Sequence, residues 1–195
     1  ETKFRGEAVC ALVGERAIVE AIGFEELPIT WTPLSALFGI KEAERADSWV
    51  HAEKRNNVLI DGCVVKAAKY TLPDAAAHAQ INVTTKFVEH AYIEPEAGWA
   101  RRVEDRLEIH VTTQTPYMDR DEVAIVMRLK PRDVRIVPTA CGGGFGGKLD
   151  MSVQPALAVA AWLLPDRPIA CVYTRTESMA STTKRHPASI GLAMS

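Results

Sequence analysis

The stretch VRIVPTACGGGFGGKLDMSVQPALAVAAWLLPDRPIACVY, Val134–Tyr173, decides how this chain is organised. Its opening, Val134–Ala140, has the β-branched content of a strand. Cys141–Lys148 is a glycine loop. Ser152–Leu164 then places Val153, Ala156, Leu157, Ala160 and Leu164 on one helical face. Ile169–Tyr173 is strand-like again. The residues predict a β-loop-α-β unit, whose crossover is normally right-handed.

Glycine fills five of the six positions Gly142–Gly147, interrupted by Phe145. Each glycine costs conformational entropy on ordering, and together they strip Cβ atoms from one surface. The physical use is close approach of backbone N–H groups to an anion at a helix N-terminus. A tight turn against another backbone accounts for one or two such glycines. Two general templates fit imperfectly. Gly142-x-Gly144-x-x-Gly147 matches a dinucleotide fingerprint, but the next strand ends at Tyr173–Arg175 without an acid for a ribose hydroxyl. Gly142-x4-Gly147-Lys148 matches a phosphate loop until Leu149, where Ser or Thr would hold magnesium. A phosphate- or nucleotide-binding module therefore stays open as an alternative.

Outward from this unit, Leu107–Thr112 alternates as a strand behind a charged turn at Arg101–Arg106. Asp119–Leu129 carries Val123, Val126, Met127 and Leu129 at helical spacing, with Asp119, Asp121 and Glu122 complementing the helix dipole. Organisation begins at Ile81–Ile93, and a last strand starts near Ser189. Further upstream, Phe4–Val13 and Leu27–Leu34 read as strands flanking a short helix at Glu15–Ile22, a piece too small to close its own core. Between Gly39 and Ala79 the pattern weakens, leaving a loop at Arg55–Asn57 and one strand at Val58–Val65. His51 and His78 fall there and read as solvated. The expected division is 1–45, a linker 46–85, and 86–195.

Composition narrows the function. The chain has 195 residues, 47% hydrophobic and 25% charged, with a net charge of -2. Enough apolar material exists for a core, and nothing pulls toward nucleic acid or anionic membrane. The longest apolar run, Ala156–Leu164, is about half of the ~20 residues that cross a bilayer. Cys10, Cys63, Cys141 and Cys171 are widely spaced, without the pairs of a zinc or iron–sulfur site. Three of them lie in apolar runs and read as buried free thiols. A reducing, cytoplasmic setting is the default expectation. Glu1 at the start and a strand cut at Ser195 read as a fragment, a piece of a split gene or an excised segment.

CGGGFGGK, with its phenylalanine inside the glycines, resembles the pterin-contacting loop of the molybdenum hydroxylases, the xanthine dehydrogenase/aldehyde oxidase family. Phe87–Ala100 (FVEHAYIEPEAGWA) resembles the strand and turn entering the first molybdenum-binding half. Glu108–Gln114 (EIHVTTQ) resembles the strand that delivers a glutamine to the metal, and Val172–Ile190 the stretch ending in Arg-His-Pro. Arg5–Leu34 resembles the end of the α/β-hammerhead domain that precedes the cofactor domain. The resemblance covers nearly the whole chain. It implies an α+β fold: the end of a hammerhead domain, then the first part of a molybdopterin-binding domain with mixed sheets.

The resemblance implies roles residue by residue. Gln114 would hydrogen-bond an oxygen ligand on molybdenum, with no direct protein ligand to the metal. Gly143, Gly144, Phe145, Gly146 and Gly147 would line the molybdopterin, whose dinucleotide form (cytosine or none) stays open. Phe145 could instead anchor the loop in the core. Lys148 either neutralises anionic charge or caps the loop. Arg185, in Arg-His-Pro, would face substrate with its planar fork. Leu149 stands where purine-oxidising members carry an acid, which favours aldehydes or N-heteroaromatics over purines. His186, Glu94, Glu96 and His110 read as structural or solvated, and His90-x-x-x-Glu94 as a weak metal pair. The implied reaction hydroxylates an activated carbon with water-derived oxygen. No catalytic residue lies in this chain, because the general-base glutamate is expected downstream. A [2Fe-2S] centre and FAD are expected on other domains or subunits, as partners beside the rest of the large subunit. A non-catalytic fragment of the same family is the remaining alternative.

Overall fold

The computed structural model describes residues 1–45, 47, 49–66 and 78–194. In chain order it forms α1 (Arg16–Val19), α2 (Ile40–Arg45), β1 (Ala79–Thr85), β2 (Ala97–Val103), β3 (Arg106–Val111), α3 (Pro116–Met127), β4 (Val134–Pro138), α4 (Gln154–Leu163), β5 (Ile169–Val172), α5 (Arg175–Ser181) and β6 (Ala188–Met194). The chain divides into two compact units. One comprises Glu1–Val13 with Gln80–Leu192, the other Gly14–Ala79 with Ala193–Ser195. In the second unit Asn57 ties the short elements together, accepting from the Val50 N–H at 2.8 Å and donating to the Ala43 carbonyl at 2.9 Å.

The first unit holds a four-stranded sheet in the order β4-β3-β2-β5, and β1 pairs with β6 in a separate two-stranded ladder. β2 runs antiparallel to both β3 and β5, while β3 and β4 are parallel, so β3, β4 and β5 share one direction. The glycine-loop segment is therefore a crossover, but its two strands lie at opposite edges with the β2–β3 hairpin between them. β3 alternates as its sequence requires. Leu107, Ile109 and Val111 are buried, while Glu108 and His110 line the other face beside Arg101 and Trp99.

α3 and α4 cover the apolar face. Their contribution to the core is Val123, Ala124, Leu157, Ala158 and Ala161, packed on Ala100, Leu107, Ile109, Val111 and Val134. Gly98 lets α4 come close, since a Cβ there would lie 2.8 Å from the His110 carbonyl oxygen and 3.1 Å from Leu157 Cδ1.

Several sequence expectations are corrected. Of the face expected on α4, Val153, Leu157 and Ala160 are buried, but Ala156 and Leu164 lie outside and Ala158 and Ala161 complete the face, where small alanines allow close packing on the sheet. α3 starts three residues earlier than expected. Pro116 occupies its first turn, where the missing N–H costs nothing, and Arg128 closes it in the left-handed region at φ 54°. Arg101–Val103 belongs to β2, leaving only Glu104 and Asp105 as the turn. There Arg102 stacks 4.0 Å from the Trp162 ring centre.

Phe4–Val13, Leu27–Leu34 and Val58–Val65 form no strand, and Val64 is 98% exposed. Strand propensity becomes a strand only against a pairing edge, and these segments have none here. The alanine-rich stretch near Ala75 lies outside the described residues.

Candidate functional site

The glycine loop folds back on the segment that precedes β2. Glu94 begins the contact: its Oε2 accepts the Gly142 N–H at 2.6 Å, and its own N–H donates to the Gly142 carbonyl at 3.4 Å. Tyr92 lies beneath the loop at 1% exposure. Its hydroxyl donates to Glu96, itself buried. Burial first, then that hydrogen bond and the negative charge of Glu96, push the Tyr92 phenol well above its ordinary range, so it stays a neutral donor.

Lys148 closes the loop. It is 4% exposed. Its Nζ lies 2.9 Å from Glu94 Oε2, 3.2 Å from Thr112 Oγ1 and 4.7 Å from the centre of the Tyr92 ring. The lysine thus neutralises an anionic neighbour, Glu94, at the end of the loop.

Gln114 follows β3, held by its own N–H donating to the Lys148 carbonyl at 3.1 Å. Its side-chain Oε1 accepts from the N–H groups of Gly146 at 3.0 Å and Lys148 at 3.3 Å. Two donors on one oxygen fix the carboxamide's orientation. Nε2 therefore faces away from the loop, and it has no partner among the described residues.

The five glycines have separate causes. A Cβ would lie 2.7 Å from Glu94 Cβ at Gly142, 2.4 Å from Gln114 Oε1 at Gly144, and 2.8 Å from Tyr92 Cε1 at Gly147. Gly143 and Gly146 have φ of +109° and +90°. Close internal packing thus explains more glycines than the one or two allowed to it from sequence. What packing leaves over is a row of donors. The N–H groups of Gly143, Gly144 and Phe145 find no acceptor among the described residues. Phe145 is 77% exposed, which excludes a core-anchor role within this unit, and its φ of 52° is strained for a side-chain-bearing residue. The loop also does not open straight into a helix, because α4 begins only at Gln154.

Leu149 is 43% exposed, and its carbonyl accepts from Thr115 Oγ1 at 3.0 Å. Arg185 pairs through its backbone with Val88, at the start of the same segment that carries Tyr92 and Glu94 to the loop. The Arg185 guanidinium makes no hydrogen bond or ion pair among the described residues. Its neighbour Lys184 is pinned 2.6 Å from Glu89.

Further corrections concern residues near the loop. Glu94 and Glu96 are not free surface carboxylates: one is half-buried as the lysine's counter-ion, the other is 3% exposed under Tyr92. Among the described residues no group of three His, Cys, Asp or Glu could hold a metal, so His90 and Glu94 make no such site. Cys10 and Cys63 are exposed rather than buried, as their segments are not strands. Burial does raise the Cys171 thiol. His110 is satisfied as expected, stacked 4.0 Å from Trp99 with its Nε2 3.1 Å from Glu108. α5 was missed, although the capping box Thr174-x-x-Glu177 that starts it is legible in the sequence.

Comparison with known proteins bears on this geometry. Residues 50–195 match the family described as molybdopterin cofactor-binding domain. The chain belongs to the xanthine dehydrogenase/aldehyde oxidase family of molybdenum hydroxylases. Its relatives include the nicotinate dehydrogenase large molybdopterin subunit of Eubacterium barkeri, 31% identical over 93% of this chain and 43% of that protein. Aldehyde oxidase 1 of Oryctolagus cuniculus is 27% identical over 93% of this chain and 13% of that protein. The aldehyde oxidoreductase from Desulfovibrio gigas shares the fold at a TM-score of 0.59, with 24% identity, over 62% of this chain and 13% of that one. The chain thus spans less than half the length of these relatives. No helix among the described residues is long and apolar enough to cross a membrane.

Proposed function

We propose that this chain holds part of the molybdenum–molybdopterin site of an oxidoreductase that hydroxylates an aldehyde or N-heteroaromatic carbon with water-derived oxygen. The observation that carries the reading is the Gln114 carboxamide. Its oxygen is consumed by the Gly146 and Lys148 N–H groups, which leaves Nε2 an oriented neutral donor, while the loop has unpartnered N–H groups of its own at Gly143, Gly144 and Phe145. Gly143 and Phe145, on either side of Gly144, have positive φ, and unpartnered N–H groups in such a turn suit an anionic group approached by backbone. The residues therefore fit a dithiolene pterin bearing a metal with oxygen ligands.

When bound, that cofactor supplies a redox-active metal centre and the oxygen delivered to substrate. Gln114 would donate to an oxygen ligand on the metal rather than bind the metal itself. Gly143, Gly144, Gly146 and Gly147 would keep backbone close to the pterin, with Phe145 covering one side. Arg185, its guanidinium unengaged, would pin a polar atom of the substrate, and Leu149 would offer it an apolar wall. The general-base glutamate, a [2Fe-2S] centre and FAD would come from other parts of the enzyme or its partner subunits. By resemblance, residues 1–45 would end an α/β-hammerhead domain and 86–195 would begin the cofactor domain, joined by 46–85. The phosphate-loop alternative is disfavoured by Lys148, whose charge is spent on Glu94.

The test is metal and pterin analysis of the native protein, with an aldehyde and heteroaromatic panel oxidised against an artificial electron acceptor. Molybdenum, a fluorescent pterin oxidation product and turnover of at least one panel member are expected. A protein binding ATP-magnesium and no molybdenum would overturn the proposal.

A further inference from the structure

Lys148 and Glu94 do more than pair. One carboxylate oxygen, Glu94 Oε2, receives both the Gly142 N–H at 2.6 Å and the Lys148 ammonium at 2.9 Å. It therefore joins the first glycine of the loop to its closing lysine, with Gly143–Phe145 and their unpartnered N–H groups between them. The ammonium's other neighbours are Thr112 Oγ1 and the face of Tyr92, so its donors are used inside the protein.

We infer that Glu94 and Lys148 are positioning residues, an ion-pair clamp that closes the glycine loop on Tyr92 and fixes its unpartnered N–H groups for the cofactor. The inference rests on the proposed function. The two partners are not equivalent: the lysine side chain is 3% exposed and the glutamate 29%. Removing the carboxylate's charge strands a buried ammonium, whereas removing the ammonium leaves a carboxylate that water can reach. A direct grip of Lys148 on the cofactor would not produce this asymmetry.

The experiment compares Glu94→Gln, Lys148→Met and the double variant, each as holoprotein and as cofactor-free protein. Amide exchange is read at Gly142, Gly146, Gly147 and Lys148, with Leu107–Val111 of β3 as the folding reference, and molybdenum per chain is read in the holoprotein. Glu94→Gln should speed loop exchange by roughly tenfold or more and lower molybdenum content, with β3 unmoved. Lys148→Met should do less, and the double variant should recover to within about threefold of Lys148→Met alone. Loop exchange unchanged in Glu94→Gln would overturn the clamp. So would faster exchange with unchanged molybdenum, or a double variant worse than Glu94→Gln. Wild-type protein free of molybdenum would refute the cofactor reading alone, while the exchange comparison still decides whether the loop is clamped.

Discussion

Gly144→Ala separates loop geometry from backbone strain. Gly144 has no positive φ, so alanine fits its backbone, but the added Cβ would lie 2.4 Å from Gln114 Oε1 and 2.9 Å from its Cδ. Gln114 is exposed and can swing aside, so the amide yields before the loop does. The cost is then the two hydrogen bonds that Oε1 accepts from Gly146 and Lys148. At about 0.5–1.5 kcal/mol each, the loss is about 1–3 kcal/mol. For a domain of this size that lowers Tm by roughly 2–12 °C. Cofactor retention should fall with it, because Nε2 loses its orientation. Calorimetry and the molybdenum-to-protein ratio read the two effects, and Gly62→Ala, with nothing within 4 Å of the new Cβ, is the control. Adding Gln114→Ala to Gly144→Ala should cost little further stability, because the same two hydrogen bonds are already lost, and molybdenum should stay low. A Gly144→Ala protein with wild-type Tm and full metal would refute this reasoning.

Three further outcomes follow from the same geometry. Phe145→Gly removes a strained, exposed side chain, so thermal stability should hold or rise by about 1 kcal/mol while molybdenum retention drops; a clear fall in Tm would show that Phe145 serves folding instead. Burial raises the Asp119 carboxyl, which is 1% exposed and takes the Gln154 amide at 3.0 Å. A raised acid favours the fold below its unfolded pKa and loses that contribution as pH climbs through the folded value. Asp119→Asn should therefore gain Tm relative to wild type between pH 4 and 7, on melting curves across that range, and a constant difference would contradict it. Leu149 cannot exchange hydrogen bonds with a purine's ring nitrogens and carbonyls, and one left unpaired costs about 1–3 kcal/mol. Aldehydes or simple heteroaromatics should then exceed xanthine by at least about tenfold in kcat/KM, with Leu149→Glu narrowing the gap; xanthine as the best substrate would end that argument.

Legibility of the fold from sequence divides along physical lines. β3 and the crossover were readable because alternation and helical period report a buried face directly, as at Leu107, Ile109 and Val111. The α4 face was legible only in part: Val153, Leu157 and Ala160 are buried as their spacing implies, but Ala158 and Ala161 bury fully without standing out in a hydrophobic pattern. Strands read into the first 66 residues rested on propensity, which says nothing about whether an edge is available. At the site, the glycines and Gln114 stood out by composition and resemblance. Glu94 and Glu96 did not. Flanking a proline in a short polar run, they look solvated, and only the return of the loop from residue 142 brings Lys148 and the Gly142 N–H onto Glu94.

The central claim is that Gln114 and the loop it locks hold a molybdenum cofactor. Its most direct test is the molybdenum-to-protein ratio of the native protein and of Gln114→Leu, purified side by side. Gln114 is exposed and its Oε1 bonds are with loop N–H groups, so the substitution should leave the sheet core intact. The account predicts a ratio near one in wild type, falling by roughly tenfold or more in Gln114→Leu, as expected for loss of a donor to a charged group in a site whose loop also loosens. Equal ratios in the two proteins, or no molybdenum in either, would contradict it.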